Sequence, residues 1–225
     1  TMEVTDEQML QCLGKQNKSP DPKYDKYLKA FFNYAHYYNG YALLDLDMDD
    51  LTAEQMILGD ERMWFQLVSS DRKISPDVWE KLTTEHYNGV KEEYYAAMVK
   101  RKDITPQALS AIVSDSDFYD HIQIAIAKHP NTNESVLLDL AGIVDDSQVA
   151  YHMMQNGNCT EEVETRLSKN KDDLVRATVA TYTTNADILT ELAQDSDIDV
   201  RDNVLSNVHT PQQTKDYLNG EGDYE

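Results

Sequence analysis

The sequence predicts an all-α protein, a right-handed α-solenoid of short helical repeats closed at its N-terminal end by a helical cap. Cys159-Thr160-Glu161-Glu162-Val163 through Val175-Arg176 and Val179 fall position for position on Thr184-Asn185-Ala186-Asp187-Ile188 through Val200-Arg201 and Val204, an offset of 25. A fixed offset of that size marks a repeat rather than a single closed core. The pattern returns upstream in relaxed form. Each copy also carries apolar pairs at i,i+3 or i,i+4 spacing, which put one stripe on one helix face.

Residues 1–74 form the expected cap. Lys15 to Pro22 is polar and holds Ser19-Pro20-Asp21-Pro22, which reads as a loop. A helix follows, with one stripe of Tyr24, Leu28, Phe31, Ala35 and Tyr38 and a second of Tyr27, Tyr34 and Tyr41. Two stripes mean contact on more than one side, and ordinary core packing with phenol tips reaching solvent accounts for them. Asp45, Asp47, Asp49 and Asp50 resemble a calcium loop at first sight. An EF-hand needs Gly at its sixth position and Glu at its twelfth, where Asp50 and Met56 stand, so a solvated acidic turn is expected. Thr52-Ala53-Glu54-Gln55 reads as a capping box opening a helix with Met56, Ile57, Trp64 and Val68.

Residues 75–218 hold about five units, starting at Ser75, Thr105, Thr132, Cys159, Thr184 and Thr210. Ser75-Pro76, Thr105-Pro106 and Thr210-Pro211 place a capping hydroxyl ahead of a proline whose missing N–H costs nothing in a first turn. A first apolar pair follows in each unit: Trp79/Leu82, Leu109/Ile112, Val136/Leu140, Val163/Leu167 and Ile188/Leu192. After an acidic turn, a second pair closes the unit: Ile122/Ile126, Val149/Met153, Val175/Val179 and Val200/Val204. No unit of this size buries both stripes alone, so neighbours must stack. Residues 219–225, rich in Gly and acids, are expected to be a disordered tail.

The run Thr184 to Arg201 resembles the leucine-rich-repeat-variant unit, a short relative of HEAT-like repeats. The similarity is good over 104–218 and loose over 75–103. In that family the two helices of a unit are typically a short 3₁₀ piece and an α-helix, so the resemblance implies that some helices here are single turns. Gln123 and Ala150 depart from it where Arg176 and Arg201 stand. An iron–sulfur cluster is associated with a founding member, but two lone cysteines, Cys12 and Cys159, cannot ligate one. No cofactor and no metal are expected.

With 20 Lys+Arg against 41 Asp+Glu, the formal charge is −21, which opposes binding to nucleic-acid phosphates or anionic lipid. Residues 104–225 hold 22 acidic and 7 basic side chains. A glycosylase of the kind known on related solenoids needs a basic concave surface, and cations are too sparse for that. No HExxH pair, hydrolase elbow, Walker loop or Rossmann glycine pattern occurs, so no catalytic residues are expected. The absence of a signal-peptide pattern, of paired cysteine spacing and of a membrane-length apolar run points to the cytoplasm.

The expected function is a non-enzymatic protein-interaction module that shows an acidic surface to a basic or mixed-charge protein, with no direct nucleic-acid binding and no membrane. The candidate partner-binding residues are the turn acids Asp145, Asp146, Asp172, Asp173, Asp195 and Asp197, with the matching cations Arg176 and Arg201. Internal pairing of the arginines with the adjacent turn acids is the simpler expectation, and Asp at these turns also suits helix capping. The alternative is a DNA-mimicking or masking inhibitor of a nucleic-acid-binding enzyme. One ridge of such turns is a diluted imitation of phosphate spacing.

Overall fold

The computed structural model describes residues 51–59, 61–84, 91–115 and 120–220. The Tyr24–Tyr41 stripes, the Asp45–Asp50 turn, Cys12 and the tail from 221 lie outside them. Among the described residues every regular element is an α-helix, thirteen in all, with no strand. No described helix is long and apolar enough to cross a membrane. The chain divides into two compact units between Ile104 and Thr105.

The first unit holds α1 (Ala53–Met56), α2 (Glu61–Val68), α3 (Pro76–Thr84) and α4 (Lys91–Met98). The Thr52 capping box forms, with Gln55 N donating to Thr52 Oγ1 at 3.2 Å and Thr52 N to Gln55 Oε1 at 3.1 Å. The helix it opens is only four residues long, shorter than the sequence suggested. Ile57 closes it, and Trp64 and Val68 belong to α2; Trp64 Nε1 then ties α2 back by donating to Ile57 O at 3.3 Å. Met63, Leu67, Trp79, Leu82, Tyr94 and Met98 are fully buried.

Arg101 ties the end of α2 and the segment after it to Trp79 of α3. Its guanidinium lies 5.8 Å from the Trp79 ring centre and donates to the carbonyls of Leu67, Val68, Ser70 and Arg72. It also pairs with Asp103 at 2.9 Å, and Asp103 Oδ2 accepts the Ile74 N–H at 2.8 Å. One cation thus satisfies the carbonyls that the end of α2 leaves open.

The second unit alternates first and second helices: α5 (Pro106–Ser114), α6 (Asp120–Lys128), α7 (Glu134–Ala141), α8 (Ser147–Met154), α9 (Glu161–Ser168), α10 (Asp173–Tyr182), α11 (Ala186–Leu192), α12 (Ile198–Ser206) and α13 (Gln212–Leu218). First helices pack on first helices, α5 on α7, α7 on α9 and α9 on α11. Second helices do the same from α6 to α12. All eight apolar pairs of this unit are buried, at most 4% exposed. Two-turn helices of this size are marginal in isolation, so packing between neighbouring repeats stabilises them.

Two local expectations fail. None of the described helices is 3₁₀, and each first helix of the second unit is α over seven to nine residues, so none of these is a single turn; α5, α7 and α11 are supported by a side-chain cap. Of the start residues, Thr105 caps as expected, with Ala108 N donating to its hydroxyl at 3.1 Å. In the next units the N-cap is one residue later, at Asn133, Thr160 and Asn185. Thr132 and Thr210 are buried and turn backward, donating to Ile126 O at 2.6 Å and Val204 O at 2.5 Å. They close the preceding second helix instead of opening the next one.

Candidate interaction surface

The acidic turns are built by side chains that accept from the backbone. Asp146 Oδ1 takes Gln148 N and Val149 N at 2.7 and 3.0 Å. Asp172 takes Leu174 N and Val175 N at 2.9 and 3.2 Å, and Asp197 takes Asp199 N and Val200 N at 2.9 and 3.2 Å. Each is the N-cap of a second helix, where a carboxylate satisfies two orphan donors and meets the positive end of the helix dipole. Two positions earlier in the turn, Asn170 and Asp195 accept the N–H two residues on, at 2.8 and 2.9 Å. These Asx turns reverse the chain without left-handed glycine.

The two arginines also face inward. Arg176 Nη1 donates to Asn170 O and Lys171 O at 2.9 and 3.1 Å, and Arg201 Nη1 repeats this on Asp195 O and Ser196 O at 2.6 and 3.0 Å. Arg176 further grips both oxygens of Asp195 in the next repeat, at 2.7 and 2.9 Å. That bond holds the Asp195 carboxyl below the usual carboxylate range and raises Arg176 above its ordinary value. Of the eight candidates, six are therefore engaged in caps, carbonyl contacts or the ion pair. Asp145 and Asp173 remain as exposed carboxylates outside those roles.

The structure also reveals links that the sequence did not suggest. Asn156 Nδ2 donates to Ala127 O at 2.7 Å, Asn158 to Thr132 O at 2.7 Å and Asn170 to Val144 O at 2.9 Å. Asn207 reaches Ala180 O and Thr183 O at 2.8 and 3.0 Å. Each bond joins a repeat to the carbonyl edge of the one before. Tyr182 occupies the place of Asn156 and Asn207 in its own repeat. Its ring stands 5.0 Å from that of Tyr151, inclined by 59°.

The two helix rows differ in charge. The first helices carry Glu134 and Asp139 on α7, Glu161, Glu162 and Glu164 on α9, Asp187 and Glu191 on α11, and Asp216 on α13, against only Arg166 and Lys215. The second helices carry Asp120, Asp173, Asp199 and Asp202 against Lys128, Arg176 and Arg201. One row is strongly acidic and the other is close to neutral. Several first-helix acids are engaged: Thr160 donates to Glu134 of the preceding repeat at 2.5 Å, Thr183 to Glu164 of its own repeat at 2.5 Å, and Lys169 sits 3.4 Å from Glu191 of the next repeat. Glu161, Glu162 and Asp187 are exposed.

Among the described residues no group of three or more His, Cys, Asp or Glu could hold a metal ion. Cys159 is half-buried, and burial together with the nearby Glu164 carboxylate pushes its thiol up to about 12. The first unit contains an open cleft of about 910 Å³ over Phe65, Val68, Ala96 and Ala97, edged by Lys73, Lys100, Asp71 and Glu93. Among the described residues no histidine or cysteine lines it. No protein-family model, curated protein or solved structure matches this chain.

Proposed function

We propose that residues 105–218 stack as a right-handed α-solenoid of the leucine-rich-repeat-variant or HEAT-like kind, capped by the N-terminal region. In this reading the protein works without catalysis in the cytoplasm, as a module that shows an acidic surface to a basic or mixed-charge protein. The supporting observation is the first-helix row. It sets eight carboxylates against two cations, and Glu161, Glu162 and Asp187 are exposed there, outside any cap. A surface of one sign steers an oppositely charged partner and repels DNA and anionic lipid.

The site in this proposal therefore moves from the turns to the first helices, because the turn acids are largely engaged in folding the turns. The test is capture of partners on immobilised protein at low and high salt, comparing the natural chain with a Glu161→Gln, Glu162→Gln, Asp187→Asn variant. Capture that weakens with salt and fails in the variant supports the reading. Equal capture by both proteins, or none at low salt, sinks it. Competition by duplex DNA for the captured protein would turn the reading towards a masking inhibitor.

A further inference from the structure

Of the four glycines among the described residues, three have a structural reason to be glycine. A Cβ at Gly59 would run into Met63, and one at Gly142 would stand 3.0 Å from Arg166 Nη2 and 3.2 Å from Asp139 O. Gly220 has a φ of +74°, in the left-handed region that favours glycine. Gly157 has neither reason: its φ lies outside that region, and a Cβ there would meet nothing within 4 Å. What remains particular to glycine at this position is a main-chain nitrogen that no side chain screens from a neighbouring group.

The neighbouring group is the side-chain amide of Asn156, one of the asparagines that join the repeats. Among the described residues the Gly157 N–H makes no hydrogen bond, and Gly157 and Asn158 are open to water. Asn156 Oδ1 accepts the Asn158 N–H at 2.9 Å, which puts a donor where negative charge develops when the amide carbon is attacked. Gly220 also follows an asparagine, but its N–H is engaged with Tyr217 O at 3.0 Å. The other linking residues Asn158, Asn170 and Asn207 precede Cys159, Lys171 and Val208, whose side chains crowd the nitrogen.

We propose that Asn156-Gly157 is a self-modification site, at which the chain converts its own inter-repeat amide into a carboxylate with water as the only co-reactant. The Gly157 nitrogen bonds to Asn156 Cγ and gives up its proton to water. The Cγ–Nδ2 bond breaks, and Nδ2 leaves as ammonia after taking a proton back from water. One water then opens the five-membered succinimide, at Cγ to give aspartate or at the main-chain carbonyl to give isoaspartate. No oxidant or reductant takes part.

The product cannot hold the joint. It lacks Nδ2, the donor to Ala127 O at 2.7 Å, and sets a carboxylate against a last-turn carbonyl that α6 leaves open. Isoaspartate also lengthens the main chain inside the turn that Cys159 N and Asn156 O close at 2.9 Å. The packing of α8 on α6 is therefore loosened with the age of the molecule, while the joints through Asn170 and Asn207 persist.

The test incubates the full folded chain, the same chain in urea and a Gly157→Ala variant at neutral pH in heavy-oxygen water, followed by peptide mapping by mass spectrometry. In the folded chain, conversion at Asn156 is expected to run about tenfold or more faster than at Asn170 or Asn207, with heavy oxygen incorporated and isoaspartate among the products. It should fall by a similar factor in the variant, whose fresh thermal midpoint should be unaltered because the added Cβ meets nothing. Hydrogen exchange at the C-terminal end of α6 should quicken in the aged natural chain and in a fresh Asn156→Asp chain. The comparison with Asn170 and Asn207 is made within one natural chain and needs no variant to fold. The proposal is overturned if Asn156 keeps its amide in the folded chain, whether or not it converts in urea. Equal conversion in the Gly157→Ala variant, or conversion that leaves exchange at α6 unchanged, would overturn it as well.

Discussion

Arg176 and Asp195 stand one repeat apart and meet through two parallel hydrogen bonds of 2.7 and 2.9 Å, with both side chains nearly buried. Asp195 at the same time accepts Asp197 N, so one carboxylate shapes its own turn and holds the preceding repeat. Asp195→Ala is expected to cost about 2–3 kcal/mol, because it leaves a largely buried guanidinium with neither counter-charge nor acceptor and also removes the acceptor of the Asp197 N–H. Asp195→Asn should cost clearly less, since Asn170 already makes the same turn in the previous repeat. Urea unfolding of the two variants checks the order; equal losses would mean that the ion pair, and not the turn, carries the whole effect.

Acid should expose the same pair. The Arg176 hydrogen bond holds the Asp195 carboxyl below its ordinary value. Burial works against the charged form of Asp103, yet Arg101 and the Ile74 N–H outweigh it and hold that carboxyl low as well. A group whose folded value is depressed binds fewer protons folded than unfolded. Its contribution is complete above the ordinary aspartate range near about 4 and is lost as pH falls through the folded value. Unfolding midpoints measured from neutral pH down to about pH 2 should fall less steeply in an Asp103→Asn, Asp195→Asn variant than in the natural chain.

The capping aspartates predict a stability effect that is separable from charge. Asp146→Ala, Asp172→Ala and Asp197→Ala should each cost about 1 kcal/mol, while the Asn versions at the same positions should cost a few tenths. The exposed pair Asp145→Asn and Asp173→Asn should leave the thermal midpoint nearly unchanged, as neither accepts a cap bond. Calorimetry on these eight variants would show this ordering. A comparable loss at Asp145 would contradict the assignment of roles.

Asn207 and Asn156 occupy matching places with unequal burial. Asn207 is buried and spans Ala180 O and Thr183 O, whereas half-buried Asn156 reaches Ala127 O alone. Asn207→Ala should therefore cost about 2 kcal/mol and Asn156→Ala about 1. Hydrogen exchange at the adjoining helix ends gives a second reading, with faster exchange in the altered repeat and its predecessor.

The Cys159 thiol, pushed up to about 12, should be a poor nucleophile in the folded chain. In a Cys12→Ser background, alkylation at pH 8 is expected to run about a hundredfold or more slower than in urea. A rate close to that of a free thiol would show that the site opens readily.

The apolar pairs were legible in the sequence because helical periodicity depends only on spacing along the chain; Val163/Leu167 and Val200/Val204 are core as read. The turn aspartates were legible as caps for the same local reason. Neighbouring polar residues were not separable: Thr132 and Asn133 both suit a helix start, and only the fold decides that Asn133 caps while Thr132 turns back to Ile126 O. The Thr52 box was legible, but not the length of its helix, which ends at Ile57. The asparagine links bridge 24 to 29 residues and have no local signature. The charge contrast between helix rows also emerged only once each acid had been assigned to a helix and the turn acids to caps.

The asparagine links have a consequence for how such a chain can be rebuilt. Their acceptors are main-chain carbonyls, which every residue offers whatever its side chain, so these joints are blind to the identity of the neighbour. Arg176 and Asp195 form the contrasting kind of joint, a lock and its key, since each needs the other's charge. The asparagine joints by themselves place no demand on the neighbour's side chains, whereas the junction between α10 and the turn before α12 has a fixed order.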